Sequence, residues 1–368
     1  MQRILVLALC LLLMCTTAFA AAIETPEATE ELYAMPSPRR VVITEVPGRV
    51  YTDIPYCGEN SLPTEKLHIV LPAEGDGPFP VIVSIHGGAW CSGNTSKKME
   101  VSATQNAAFA ALERGYAVVC VDYSVKNKDN PVAFPLQMQE IRAAVRFVRS
   151  VAEQYNFDTD HICLMGESAG GMLASMAALT EGEAYYDNAN LGSMEYSSKV
   201  QAVIAQYPAP KMGKNDMTAR LFDTTADNLT EEMLSSITAL DHIDANDPPF
   251  FIEHGTADTT IPYTDSVEFY EALTAAGIEN CELHLYEGFE HAVAWFQSDY
   301  VTEQHLNWLD GIFGREYVLA YGGMRYEKEK ISVAYDCLPG AVHVPRCFCR
   351  RNTGGTVSHR AERIPFYL

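Results

Sequence analysis

Residues 161–179 constrain the fold of this chain more than any other stretch. A mostly apolar run at 161–165 leads into Gly166-Glu167-Ser168-Ala169-Gly170, and a second small and apolar run continues to Leu179. This reads as a strand, a sharp turn and a helix. Gly166 and Gly170 let the turn tighten without Cβ clashes, so that Ser168 stands at its apex with its hydroxyl exposed. That is a position for a nucleophile. The string alone is weak, because at ordinary residue usage about one chain in eight of this length shows Gly-x-Ser-x-Gly by chance. A serine hydroxyl also needs a base, an acid to orient the base, and donors for the developing oxyanion.

The surrounding pattern supplies a frame for those groups. Residues 41–51 and 66–71 carry β-branched and alternating apolar residues and read as two edge strands, with a turn-rich loop at 72–80. From residue 81 the chain alternates. Strands are expected at 81–85, 117–121, 162–165, 202–206, 250–253 and 283–286. Helices are expected at 104–114, 136–155, 169–179, 264–275 and 301–313. Strands alternating with helices build a mostly parallel sheet covered on both faces, an α/β fold. Between Pro208 and Pro249 lies a more polar insertion with one helical piece at 229–237. Ligands of such sheets bind at the carboxyl ends of the strands, so this insertion, at about 209–248, is expected to overhang the site as a small lid.

The two ends read differently. Met1-Gln2-Arg3, an apolar run at 4–15 and Ala18-Phe19-Ala20 form a secretory signal pattern over residues 1–20. Twelve apolar residues are short of the roughly 20 that span a bilayer. Cys15 follows Met14, which is bulkier than lipid-modification sites accept, so no lipid anchor is expected there. The protein is thus expected outside the cytoplasm, secreted or periplasmic. Residues 21–40 read as a linker and 41–314 as the folded domain. Residues 315–368 hold nine Lys or Arg against five Asp or Glu, in a chain whose formal net charge is −22. They read as an extension of unknown structure. The overall negative charge argues against nucleic-acid or anionic-membrane partners. Outside the leader there are eight cysteines. Cys120, Cys163 and Cys281 sit in apolar runs as small hydrophobes, whereas Cys57 and Cys91 lie in loops where they could pair under oxidising conditions. Cys347-Phe348-Cys349 has no second pair at zinc spacing, and no metal or cofactor is expected.

Three loops after three strands hold the remaining chemistry. His86-Gly87-Gly88-Ala89-Trp90 follows the strand at 81–85; its glycines allow amide hydrogens to approach a substrate carbonyl, and Ala169 adds a donor at a helix N-terminus. Asp258 follows the strand at 250–253, and His291 the strand at 283–286. Alone, a loop aspartate is a turn or cap residue and a loop histidine is solvated. Here they follow Ser168 in the chain order Ser, Asp, His. His254 and His284 lie at or within strands and are less suited to be the base, and Glu290, which precedes the histidine, is less suited to be the acid.

The strings HGGAW, VDYSV, GESAGGMLA, NDPPFFIEHGTAD and GFEHA occur in this order between residues 66 and 313. That segment resembles α/β-hydrolase esterases of the hormone-sensitive-lipase-like group, most closely the acetyl xylan and feruloyl esterase branch. The resemblance implies an α/β-hydrolase fold with Ser168 as nucleophile, Asp258 as acid, His291 as base, and Gly87, Gly88 and Ala169 as oxyanion donors. It implies a serine carboxylesterase acting on small or carbohydrate-linked esters, acetyl or feruloyl groups of plant polysaccharide among them, without a cofactor. Met172 and Glu140 depart from the family pattern, which often has His and Asp there, and bear on substrate placement rather than chemistry. Two rivals share the triad order or the fold: a prolyl-oligopeptidase-like peptidase, which usually carries a large N-terminal propeller, and a non-catalytic binding module, which typically lacks a triad member. Oligomeric state is not legible.

Overall fold

Why the frame closes where it does follows from the apolar runs. In the computed structural model, which describes residues 48–58, 61–93, 110–126 and 131–315, they become the strands of one eight-stranded sheet. The leader, the linker, residues 41–47, most of the helix expected at 104–114, and residues 316–368 lie outside the described residues.

The strands are β1 (Gly48–Pro55), β2 (Lys66–Pro72), β3 (Phe79–Ile85), β4 (Ala117–Val121), β5 (Phe157–Glu167), β6 (Ala202–Gln206), β7 (Phe250–Gly255) and β8 (Glu282–Tyr286). Their order across the sheet is β1-β2-β4-β3-β5-β6-β7-β8. The first two pairings, β1 with β2 and β2 with β4, are antiparallel. Every later pairing is parallel. β3, β4 and β6 are buried along their whole length, as uninterrupted apolar strands covered on both faces should be. β1 is mostly exposed, as an edge strand can be.

The helices are α1 (Leu136–Ser150), α2 (Ala152–Tyr155), α3 (Ala169–Leu179), α4 (Asp216–Leu221), α5 (Glu231–Ser235), α6 (Tyr263–Ala275) and α7 (Asp299–Ile312). The single helix expected at 136–155 is divided at Val151, whose dihedrals leave the helical basin. Asn156 then ends the second piece in the left-handed region. Every residue of α3 is buried. Its small side chains let it press on the sheet, while Met172, Leu173 and Met176 join the main core. β5 runs five residues earlier than expected because Phe157 and Asp158 pair with Phe79 and Pro80 of β3.

The insertion is a docked cap with two short helices, α4 and α5, rather than one helix at 229–237. Asn215 caps α4 through the amide of Thr218, and Thr230 caps α5 through that of Met233. Within it Leu221, Leu229, Ile237 and Ala239 are buried. Tyr186 donates to the Ser236 carbonyl at 2.8 Å, and Lys126 pairs with Asp223. Cys57 and Cys91 are free thiols, not a bridge, as are Cys120, Cys163 and Cys281. Cys57 is buried, which shields it from solvent oxidants. Among the described residues no helix is long and apolar enough to cross a membrane, and no His, Cys, Asp and Glu cluster is arranged to hold a metal.

Candidate active site

The strand order locates the site before any side chain is considered. From β3 the chain passes to β4 on one side, and β5 returns on the other side of β3. Such a switch leaves a crevice at the carboxyl ends of the two diverging strands. The His86 loop follows β3, the Ser168 turn follows β5, and Ile85 pairs with Gly166 at that edge.

Ser168 has φ 51° and ψ −117°, a strained backbone for a residue with a side chain. Its amide donates to the Gln206 carbonyl at 2.9 Å and its carbonyl accepts from Met172 at 3.0 Å, so the turn is held on both sides. Gly170 is required here, since a Cβ would lie 2.3 Å from the Ile85 carbonyl oxygen. The Ser168 hydroxyl is 3.0 Å from His291 Nε2, and His291 Nδ1 is 2.6 Å from Asp258 Oδ2. Three side chains far apart in sequence thus form one hydrogen-bonded line.

The Asp258 side chain is buried and its carboxylate is hydrogen-bonded at both oxygens. Oδ1 accepts the amides of Thr260 and Ile261, each at 2.8 Å. Oδ2 faces His291 and, at 3.0 Å, His254 Nε2. Burial pushes this acid up, but hydrogen bonds from His254, His291 and the Ile261 amide outweigh it and hold Asp258 well below the usual carboxylate range. It is an anion at any pH of interest, able to fix the His291 tautomer with a proton on Nδ1. Nε2 is then the acceptor for the serine proton.

The other half of the site is the loop after β3. A methyl added at Gly87 would sit 3.5 Å from Ser168 Cβ, which puts this backbone against the serine. Gly88 lies in a tight turn, its carbonyl accepting from the amides of Cys91 and Ser92. The amide of Ala169 is the first of α3, where helix amides have no intrahelical acceptor. Two residues hold the loop. Tyr123 donates to the His86 carbonyl at 3.0 Å and stacks on the His86 ring at 4.3 Å, while His86 Nδ1 bonds the Gly87 carbonyl at 2.7 Å. Burial lowers the His86 pKa, favouring the neutral ring that this single bond suits.

Several supporting residues were not legible as such. Tyr207, at φ 34°, stands edge-on to the His291 ring at 4.8 Å and donates to Glu167 Oε2 at 2.8 Å. Burial first, and the Glu167 charge next, raise the Tyr207 pKa well above 10, so it stays a donor. His254 is in β7, as its apolar neighbours suggested, yet it touches the acid; the signal was its spacing of four residues from Asp258. Glu290 Oε2 accepts from Thr259, bracing the acid loop. His284 bonds Glu282 within β8. Met172 is buried in the core, and Glu140 bonds Ser124 N at 2.7 Å and Ser124 Oγ at 2.5 Å, so both have packing partners inside the protein.

Comparison with known proteins agrees with this geometry: the BD-FAE family profile matches residues 67–273, more than half of the chain. The chain belongs to the BD-FAE family. The matched span runs from β2 through most of α6 and includes the Gly87 loop, Ser168 and Asp258, while His291 lies beyond it. The α/β-hydrolase fold is shared with solved structures. A truncated carbohydrate esterase from gut microbiota superposes with TM-score 0.66 at 24% identity, over 74% of this chain and 99% of the other. A bifunctional GH43-CE from Bacteroides eggerthii gives TM-score 0.63 at 30% identity, over 73% of this chain and 38% of that longer one. Among curated relatives, LipM of Mycobacterium tuberculosis, a probable carboxylic ester hydrolase, is 29% identical over 54% of this chain and 45% of its own length. This BD-FAE member thus spans about half the length of the curated relatives it matches.

Proposed function

We propose that this BD-FAE protein is a serine carboxylesterase, with Ser168 as nucleophile, His291 as base and Asp258 as the orienting acid. The observation that carries the reading is the unbroken line from Ser168 Oγ through His291 to Asp258 Oδ2, at 3.0 and 2.6 Å. His291 Nε2 takes the serine proton as Oγ attacks the ester carbonyl. The tetrahedral oxyanion is met by amides of Gly87, Gly88 and Ala169, each such donor contributing roughly 3 kcal/mol to transition-state stabilisation. The imidazolium then protonates the leaving alcohol, and water activated by the same ring hydrolyses the acyl-enzyme.

The substrate class we infer is a short-chain or aromatic acyl ester, carried naturally by a plant-wall polysaccharide. The names of the relatives support the ester, and that of the carbohydrate esterase sharing the fold suggests the sugar. The leader pattern at residues 1–20 supports action outside the cytoplasm, where such polymers are met.

A fluorophosphonate probe followed by peptide mapping tests the nucleophile. Labelling at Ser168, abolished in Ser168→Ala, is expected; a folded wild type that does not label would favour a binding module. Acetylated and feruloylated oligosaccharides assayed beside aryl esters and dipeptide amides test the substrate. Preferential amide cleavage would return the peptidase reading.

A further inference from the structure

We propose that His254 is a positioning residue for the reaction, its Nε2–H holding the Asp258 carboxylate in the plane that His291 requires. The inference rests on the triad reading above and goes beyond it.

His254 is fully buried at the end of β7. Its Nε2 faces two acceptors, Asp258 Oδ2 at 3.0 Å and the Ile261 carbonyl at 3.1 Å. A lone pair between two oxygens would be repelled, so Nε2 carries the proton. Nδ1 is then an acceptor, and Ser266 Oγ on α6 supplies its proton at 2.8 Å. One neutral tautomer satisfies every partner.

The two oxygens of Asp258 are held differently. The loop's own amides, Thr260 and Ile261, fix Oδ1. Oδ2, the oxygen that meets the base, has side-chain donors from His254 and His291. A twist about the Cβ–Cγ bond would move both oxygens, so the two amides on Oδ1 resist it from one side and the His254 bond on Oδ2 adds a second anchor at the oxygen that meets His291. It also draws charge from Oδ2, which weakens the attraction for the imidazolium. Glu290 also bonds this loop, at Thr259, and Tyr207 packs edge-on against the His291 ring.

Removing the donor therefore has two effects of different kinds. A looser carboxylate slows proton transfer, lowering kcat with little change in KM. A more basic Oδ2 holds the imidazolium more firmly, so the acid limb of the pH profile moves up.

The test uses His254→Phe, His254→Gln, which restores an N–H near the Nε2 position, and Ser266→Ala, which leaves the ring in place. Saturating fluorophosphonate counts active sites in each, so misfolded protein is not scored as lost turnover. In His254→Phe, kcat per labelled site is expected to fall about tenfold, the loss typical of a hydrogen bond to a charged group. Its acid limb is expected to rise by about half a pH unit. His254→Gln should recover most of both, and Ser266→Ala should lose about two- to threefold in kcat per site. Unchanged turnover per site with an unmoved acid limb, even if thermal stability drops, would overturn the inference and leave His254 a core residue. If wild type itself fails to label at Ser168, the triad reading fails instead.

Discussion

Replacing Glu140 by Gln should make the protein more stable in a way that depends on pH. Glu140 is fully buried on α1, and its carboxylate oxygens reach Ser124 N at 2.7 Å and Ser124 Oγ at 2.5 Å. Burial pushes its pKa from 4.5 up to about 8; nearby Glu65 adds to the rise, and the Ser124 bonds only partly oppose it. Between those two values the folded protein holds a proton that the unfolded chain has released. Stability from this group is fully present below about pH 4.5 and is lost as pH rises towards 8. At about 1.4 kcal/mol per pH unit the whole displacement corresponds to a ceiling of about 5 kcal/mol. Gln has the same shape, accepts from the Ser124 amide, donates to its hydroxyl and does not titrate. The stability of Glu140→Gln relative to wild type should therefore grow by roughly 3 kcal/mol between pH 5 and 8. Urea unfolding of both proteins at half-unit intervals measures this, and other titrating groups cancel in the difference. A difference that stays constant across this range would refute the argument and mean that Glu140 is ionised in the fold. Activity links to the same contact: Ser124 adjoins Tyr123, which holds the His86 carbonyl, so Glu140→Leu should also lower turnover, whereas Gln should not.

Ser168→Ala and His291→Ala should each abolish nearly all ester turnover with folding intact, and Asp258→Asn should retain somewhat more; near wild-type rates in His291→Ala would remove it as the base. Acetyl to butyryl p-nitrophenyl esters should be cleaved much faster than octanoyl or palmitoyl ones, because residues 211–247 carry eight acidic and three basic side chains and the cap's buried apolar residues face the body. A rate maximum at octanoate or beyond, or a jump on micelle formation, would point to a lipase instead. Truncation after Glu316 should leave turnover and melting temperature unchanged, since it keeps Arg315, whose guanidinium lies 4.3 Å from the Tyr116 ring centroid and bonds the Arg114 carbonyl. Failure of the shortened chain to fold would assign residues 317–368 a structural role.

What the sequence disclosed and what it hid divide along a physical line. Elements whose signal is local were legible to within a residue: β4 and β6 are short apolar runs bounded by turns, and α3 is a small-residue run launched from the Ser168 turn. Elements shaped by a partner were not. β5 is long because β3 offers Phe79 and Pro80 to pair with, and the division at Val151 follows from no proline or glycine. The site splits in the same way. Ser168, Asp258 and His291 each follow a strand, so the carboxyl edge of a parallel sheet gathers them whatever the loops do in detail. His254 and Glu140 act from inside β7 and α1, where polar residues look like accidents of a core position until their partners are placed. Asp258 is reached from β7, and Ser124 lies across the α1 packing face. A buried polar side chain is costly unless it is paired, so in an apolar run it marks a partner elsewhere in the fold. His254 and Glu140 each carried that mark. Chain order could show where the partners of Ser168 lie because the sheet edge is one-dimensional; naming the partners of a core residue requires the packing of elements in three dimensions.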